Sequence, residues 1–258
     1  MYLLQKKIEI IPVQIQKEIN ISDDIHQIIL DSVYQINEKI HEDDILVIAQ
    51  KIISKSENRY VNLDEVTISK EAKKLSENIK KDLRLLELIL RESTSIIRQR
   101  NDLLIVETKN GFVCANAGID RSNVSKEENI VLLLPKDPDR SAREIQEKIV
   151  KKTGKNIGVI ISDTFGRPFR NGQVNVAIGI AGINPLKSYI GTKDIFGKTL
   201  RVTEIAIADE IASAAELVME KSNKIPVAII RGYKFEKDNS NKGISLLLRN
   251  KEKDEFRK

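Results

Sequence analysis

Leu103-Leu104-Ile105-Val106-Glu107-Thr108-Lys109-Asn110-Gly111-Phe112-Val113-Cys114-Ala115 is a pair of β-rich runs around an Asn-Gly dipeptide. Asn-Gly between such runs is a strong hairpin signal, because a type I′ turn needs positive φ at both central residues. The stretch therefore predicts neighbouring antiparallel strands. Ile8 to Val13, Asp44 to Gln50, Asn129 to Leu134, Ile157 to Ser162 and Ile225 to Ile230 read as short apolar strands. Val174, Val176, Ile178 and Ile180 alternate as in a half-buried strand. Helical spacing joins Ile25, Ile28, Ile29, Val33, Ile36 and Ile40, behind Ser22 as N-cap with Asp23 and Asp24 in the first turn. Ser69 to about Glu92 is helical with a break near Lys81-Asp82. Ala142, Ile145 and Ile149 share a helix between a cap at Asp139 or Ser141 and a closing Gly154. Ala208 to Lys221 is an Ala-rich helix. Hairpins mixed with helices, rather than strict alternation, favour an α+β fold over a doubly wound parallel sheet.

The 258 residues allow one large domain or two modest lobes. With 41% hydrophobic and 4% aromatic residues and no Trp, the core is aliphatic. The single cysteine, Cys114, cannot form an intramolecular disulfide, and a zinc site built on several thiolates is excluded. Cys114 reads as a buried structural thiol and the compartment as reducing and cytoplasmic. Residues 1–7 lack the features of a signal peptide, and no apolar run approaches the ~20 residues that span a bilayer. The net charge of +5 is spread among interleaved acids and bases. Without a basic stripe or stacking aromatics it describes a solvated surface suited to anionic small ligands, not a nucleic-acid interface. His26 and His41 have no metal or triad neighbours and read as surface residues. From Glu236 the chain is polar and charged apart from Ile244 to Leu248, and its last residues are expected to be mobile.

Four segments could carry chemistry. Asn116-Ala117-Gly118-Ile119-Asp120-Arg121-Ser122-Asn123 packs an Asp and two Asn into one turn after a hairpin strand. Either Asp120 and Asn123 face a cation or ribose, or the side chains only satisfy their own backbone. Ser162-Asp163-Thr164 ends an apolar strand, where a rigid carboxylate suits a hard cation, or caps the next element. Gly166-Arg167-Pro168-Phe169-Arg170 sets two arginines in a constrained loop, as a carboxylate or phosphate clamp or as a solvated hairpin. Gln50-Lys51-Ile52-Ile53-Ser54-Lys55 pairs a hydroxyl with a lysine as a phosphate cradle would, without the glycines of a Walker A loop.

In this order and spacing the four segments resemble the coenzyme F-420-0:L-glutamate (γ-glutamyl) ligases, from about Ile8 to Gly232. The most specific marks are Asn116-Ala117-Gly118-Ile119-Asp120 with Ser122-Asn123, Ser162-Asp163-Thr164 with Gly166-Arg167, Ala177-Ile178-Gly179-Ile180-Ala181-Gly182, and Ala208-Asp209-Glu210-Ile211-Ala212. The resemblance implies a ligase that uses GTP and Mg²⁺ or Mn²⁺, with a monovalent cation as a further candidate. It joins L-glutamate to the terminal carboxylate of the deazaflavin coenzyme F-420-0 through an acyl-phosphate, and a second, γ-linked glutamate can follow. An amide ligase of the same fold acting on another anionic carboxylate is the alternative. The resemblance also implies a two-lobed α+β fold, one domain over 1–235 with a charged tail over 236–258, that forms an intertwined homodimer. It carries Asp120, Asp163 and Thr164 over as the metal ligands, with Asp120 and Asp163 also catalytic. Gln16, Lys17, Gln50, Lys51, Ser54, Lys55 and Asn123 fall at nucleotide-contacting positions. From its place in the constrained loop, Arg167 is expected to be catalytic as well, as a clamp for a carboxylate or phosphate. Two stretches depart from the family pattern: Gln14-Ile15-Gln16-Lys17-Glu18-Ile19 lacks the Gly and Pro of the nucleotide loop, and Met219-Glu220-Lys221-Ser222-Asn223-Lys224 lacks the expected glycines.

Overall fold

The computed structural model describes residues 7–238, 240 and 242–255, so the readings of the first six and last three residues lie outside it. The chain opens with β1 (Glu9–Val13), α1 (Ile25–Gln35), β2 (Ile45–Ala49), α2 (Gln50–Ser56) and β3 (Tyr60–Asn62). Then come α3 (Lys70–Ser76), α4 (Leu83–Arg91), β4 (Ser93–Arg100), β5 (Leu103–Thr108), β6 (Val113–Ala115) and β7 (Ile130–Leu132). The second half runs α5 (Pro138–Thr153), β8 (Gly158–Gly166), β9 (Gln173–Ala181), β10 (Leu186–Ser188), β11 (Glu204–Ala206), α6 (Ile207–Met219) and β12 (Val227–Arg231).

The architecture is mixed α+β with mostly antiparallel sheets, as the hairpin signals predict. The largest sheet has the order β1-β12-β2-β8-β9, and only β2 and β8 run parallel. Its central strands are near-continuous runs of Ile, Val and Leu because helices cover them; Ile45, Leu46, Val47 and Ile48 are fully buried. A second, smaller core lies between α4 and the sheet β4-β5-β6, with Leu86, Ile89, Leu104 and Val106 at its centre. Among the described residues no helix is long and apolar enough to cross a membrane.

Several local expectations change. The 103–115 hairpin forms, but only Gly111 has positive φ (85°), so the turn is not type I′. It is a three-residue loop closed by Thr108 N–H to Phe112 O (2.8 Å). Ser22 does not cap α1; it sits at φ 64° with its N–H bound to Ser56 O (2.8 Å), and Asp24 occupies the N-cap position. The helix stops at Gln35, short of Ile36 and Ile40, because Asn37 turns left-handed at φ 57°. Asp137 caps α5 by accepting from Arg140 N–H (2.9 Å), with Pro138 at the first helical position, where it needs no N–H partner. Gly154 closes that helix at φ 68°, and the break between α3 and α4 falls at residues 77–82. His26 is buried, only 5% exposed, against the surface reading, while His41 is exposed. Beyond residue 235 the chain is anchored where Asp139 accepts Ile244 N–H (3.1 Å) and Lys251 pairs with Glu107 (2.9 Å).

Candidate functional site

β8 outruns its parallel neighbour. β2 ends at Ala49, opposite Ser162, and the chain turns at once into α2. Asp163 is therefore the first residue of β8 with no strand on its β2 side, although its other edge still pairs with Val176 of β9. The strand does not end at Ser162, as the apolar run suggests, but continues as a hairpin arm to Gly166. The C-terminal end of a parallel pair is where an α/β crevice opens.

Asp120 arrives from the other side. Asn116, Ala117 and Gly118 are consecutively left-handed (φ 52°, 56° and 67°). That conformation costs roughly 1–2 kcal/mol for each residue bearing a Cβ, and burial of Ala117 (2% exposed) holds it in place. Gly118 is required twice over, since a Cβ there would lie 2.7 Å from Leu134 Cδ1 as well as at positive φ. The turn delivers Asp120 to a bridge with Leu132, with N–H···O distances of 2.8 and 2.9 Å.

Between the two aspartates lies an open cleft of about 940 Å³. Gln16, Lys17, Gln50, Lys51, Lys55, Asp120, Asn123, Asp163 and Thr164 all line it, so residues up to 148 positions apart in sequence converge there. Ser54 does not line it; it is fully buried, and its hydroxyl donates to Gln50 Oε1 (2.8 Å). Gln50 in turn donates through Nε2 to Asp120 Oδ2 (2.6 Å). Lys51 Nζ reaches Asp120 Oδ2 (3.3 Å) and Ser122 O (2.7 Å). Arg167 and Arg170 stay outside the cleft wall, exposed on the β8–β9 arm, and Arg167 donates only to Asn171 O (3.3 Å). The clamp expected of them is not assembled in this geometry, because the hairpin points them into solvent.

Burial, and then the neighbouring Asp120, pushes the Asp163 carboxyl up to about 7, against the pull of the Thr164 N–H, Lys51 and Lys221. Asp163 is partly exposed by area because it faces the cleft, but it sits deep between its walls. Cys114 is buried as expected, and burial with the nearby Asp163 holds its thiol at about 12, as an inert neutral group. Lys55 is lowered by burial, offset in part by Glu18 and reinforced by Lys51.

Paired carboxylates without enough compensating charge, joined by a hydroxyl, are an oxygen-only donor set that fits a hard divalent cation. Among the described residues no group of three or more His, Cys, Asp or Glu side chains is arranged for a metal. Ser162 Oγ and Asn116 Oδ1, both of cleft-lining residues, are buried without a hydrogen-bond partner. Orphaned groups of this kind cost about 1–3 kcal/mol, a cost that a bound water, ligand or ion in the cleft would offset.

A second set of residues was not read from the sequence. Thr164 Oγ1 donates to Asn175 Oδ1 (2.7 Å), Asn175 Nδ2 donates to Glu216 Oε2 (2.7 Å), and Lys221 Nζ reaches Thr164 Oγ1 (2.6 Å). Asn123 Nδ2 donates to Lys221 O (3.1 Å), tying the Asp120 loop to the segment after α6. The only sequence signal was that Asn175 is a polar residue in an otherwise apolar strand.

Comparison with known proteins shows the family. The family model described as F420-0:Gamma-glutamyl ligase matches residues 14–232. The coenzyme F420:L-glutamate ligase of Methanothermobacter thermautotrophicus is 43% identical over 251 residues, covering 97% of this chain and 99% of that protein. The enzyme of the same name from Methanocaldococcus jannaschii is 43% identical over 259 residues, covering 98% of each. That of Archaeoglobus fulgidus is 39% identical over 253 residues, covering 98% of this chain and 97% of its own length. With the matched region spanning both aspartates and the whole cleft, the chain belongs to the F420-0:gamma-glutamyl ligase family.

Proposed function

We propose that this protein joins L-glutamate to the terminal carboxylate of coenzyme F-420-0, using GTP and Mg²⁺ or Mn²⁺, through an acyl-phosphate, and that a second glutamate can be added by γ-linkage. The observation that carries the proposal is the meeting of Asp120, Asp163 and Thr164 in one cleft with Gln50, Lys51, Lys55 and Asn123. A carboxylate is a poor electrophile, so a phosphoryl group must first supply a leaving group. That transfer brings anions together and is driven by positioning and charge neutralisation. A bound divalent cation neutralises the transferring phosphoryl oxygens. Asp120 and Asp163 hold it, and Thr164 completes the oxygen set. Gln50, fixed by Ser54, keeps Asp120 in place. Lys51 screens Asp120, while Lys55, Gln16, Lys17 and Asn123 contact the nucleotide. The described residues up to 235 form one domain of two lobes in this reading.

The test is a reaction containing the protein, Mn²⁺ or Mg²⁺, GTP, glutamate and the deazaflavin acceptor. GDP release together with a product heavier by one glutamate residue is expected; neither appearing would refute the proposal. A homodimer is also proposed, supported by the exposed Ile195, Phe196 and Val202 (92%, 82% and 86%) on the excursion between β10 and β11. Sedimentation at the mass of a single chain would count against it.

Metal binding should depend on pH in a stated direction. Metal must displace the proton of Asp163, whose carboxyl stands near 7. Mn²⁺ affinity should therefore rise by up to about tenfold per pH unit as pH increases toward 7, then level off. Titration calorimetry across pH 5.5 to about 8 reads this directly. Affinity that is flat over the range would contradict the assignment of Asp163.

A further inference from the structure

Lys221 leaves the end of α6 and returns its side chain over the cleft. Its ammonium meets three side-chain oxygens: Thr164 Oγ1 at 2.6 Å, Glu216 Oε1 at 2.8 Å and Asn175 Oδ1 at 3.5 Å. The hydrogen-bond directions around it are mutually consistent. Thr164 gives its hydroxyl hydrogen to Asn175 Oδ1 (2.7 Å), which leaves one lone pair for Lys221 and one for the cation assigned to Asp120 and Asp163. Asn175, 3% exposed, gives Nδ2–H to Glu216 Oε2 (2.7 Å), which leaves Oε1 for Lys221. Ser213 Oγ fixes the strand at this point by donating to Asn175 O (2.7 Å).

A hydroxyl, an amide carbonyl and a carboxylate aimed at one point make the donor set of a hard cation. A lysine ammonium is a compact charge with three donors and meets the same geometry. Thr164, Asn175, Glu216 and Lys221 line the same cleft as Asp120 and Asp163, so this point lies beside the site assigned to the divalent cation. Sites for phosphoryl transfer often place two cations across the reacting group. A tethered lysine supplies one of them as a point charge on phosphate.

We propose that Lys221 is a built-in second cation: it occupies the Thr164–Asn175–Glu216 oxygen set that would otherwise hold a second metal ion, so that this chain works with one divalent cation held by Asp120 and Asp163. The inference rests on the metal reading of Asp120 and Asp163, and its failure can be told from the failure of that reading. The Lys221 side chain is 60% exposed, so its truncation leaves the core intact.

The experiment titrates Mn²⁺ into the full, metal-free chain and follows free Mn²⁺ by electron paramagnetic resonance, without nucleotide or substrate. The wild-type chain is expected to bind one Mn²⁺, Lys221→Ala two with the added one weaker, and Lys221→Ala combined with Glu216→Gln one again. In steady state, glutamate transfer by Lys221→Ala should change from a hyperbolic to a sigmoidal dependence on Mn²⁺. A Lys221→Ala chain that still binds one Mn²⁺, or a wild-type chain that already binds two, overturns the inference alone. A wild-type chain that binds none overturns the metal reading and the inference with it.

Discussion

Asp163→Asn is expected to lower glutamate transfer by roughly 10³-fold or more while the protein stays folded. Groups that neutralise charge in phosphoryl-transfer sites are worth about 10³–10⁵ in rate. Asparagine keeps the size of the side chain and its place beside Val176 on β9. It removes the charge that a cation needs on the β8 side of the cleft. Folding should not suffer, and the sign can be worked out. The folded carboxyl stands near 7, above its ordinary value of 3.8, so the folded state holds the proton more tightly than the unfolded chain. Ionisation therefore opposes folding progressively as pH rises from about 4 to 7, and the penalty is fully present above that. The metal-free variant should melt no lower than wild type at pH 8, and its stability should vary less with pH. Steady-state turnover and thermal melts of the same preparation separate the two effects. Turnover within a few-fold of wild type would sink the metal assignment.

Gly179→Ala is expected to cost about 3 kcal/mol of stability, at the upper end for an overpacked core. Gly179 lies in β9 opposite Ile161, where the first turn of α5 crosses the strand. A Cβ there would meet the Pro138 carbonyl oxygen, its carbon at 2.5 Å and the Pro138 Cβ at 2.7 Å. The helix cannot move away freely, because Asp139 accepts Ile180 N–H (2.8 Å) and Ile244 N–H (3.1 Å) and so staples α5 to β9 and to the C-terminal segment. For a chain of this size the loss corresponds to a melting temperature lower by roughly 6–12 °C. Gly166→Ala is the control: nothing lies within 4 Å of its added Cβ, and it should shift the melt little. Equal melting of Gly179→Ala and wild type would show that α5 yields more easily than these contacts imply.

These residues also show what was legible beforehand. The strands that carry Asp163 and Gly179 were readable because a buried strand is an uninterrupted or alternating apolar run. The 103–115 hairpin was readable from Asn-Gly, but its turn type was not, because loop length and the Thr108–Phe112 closure decide it. α2 was missed: Ile52 and Ile53 suit a strand as well as a helix, and no capping side chain marks the change at Ala49. Ser22 resembled a cap, yet a tertiary bond to Ser56 O holds it left-handed instead. Asp120 and Asp163 each had a local alternative, as a turn-former or a cap. Only the three-dimensional path of the 116–118 turn and the early end of β2 bring them to one cleft. Glu216 and Lys221 gave no local signal and Asn175 only its polarity in an apolar strand, since the bonds that join them, Asn175 to Glu216 and Lys221 to Thr164, span 41 and 57 positions of the chain.

The most direct test of the account is a crystal of the protein grown with Mn²⁺ and GTP, with data collected to reveal anomalous scattering from manganese. A manganese peak within coordination distance of a carboxylate oxygen of both Asp120 and Asp163 is the predicted result. Manganese bound elsewhere while that position stays empty would contradict the claim that these two aspartates form the working centre.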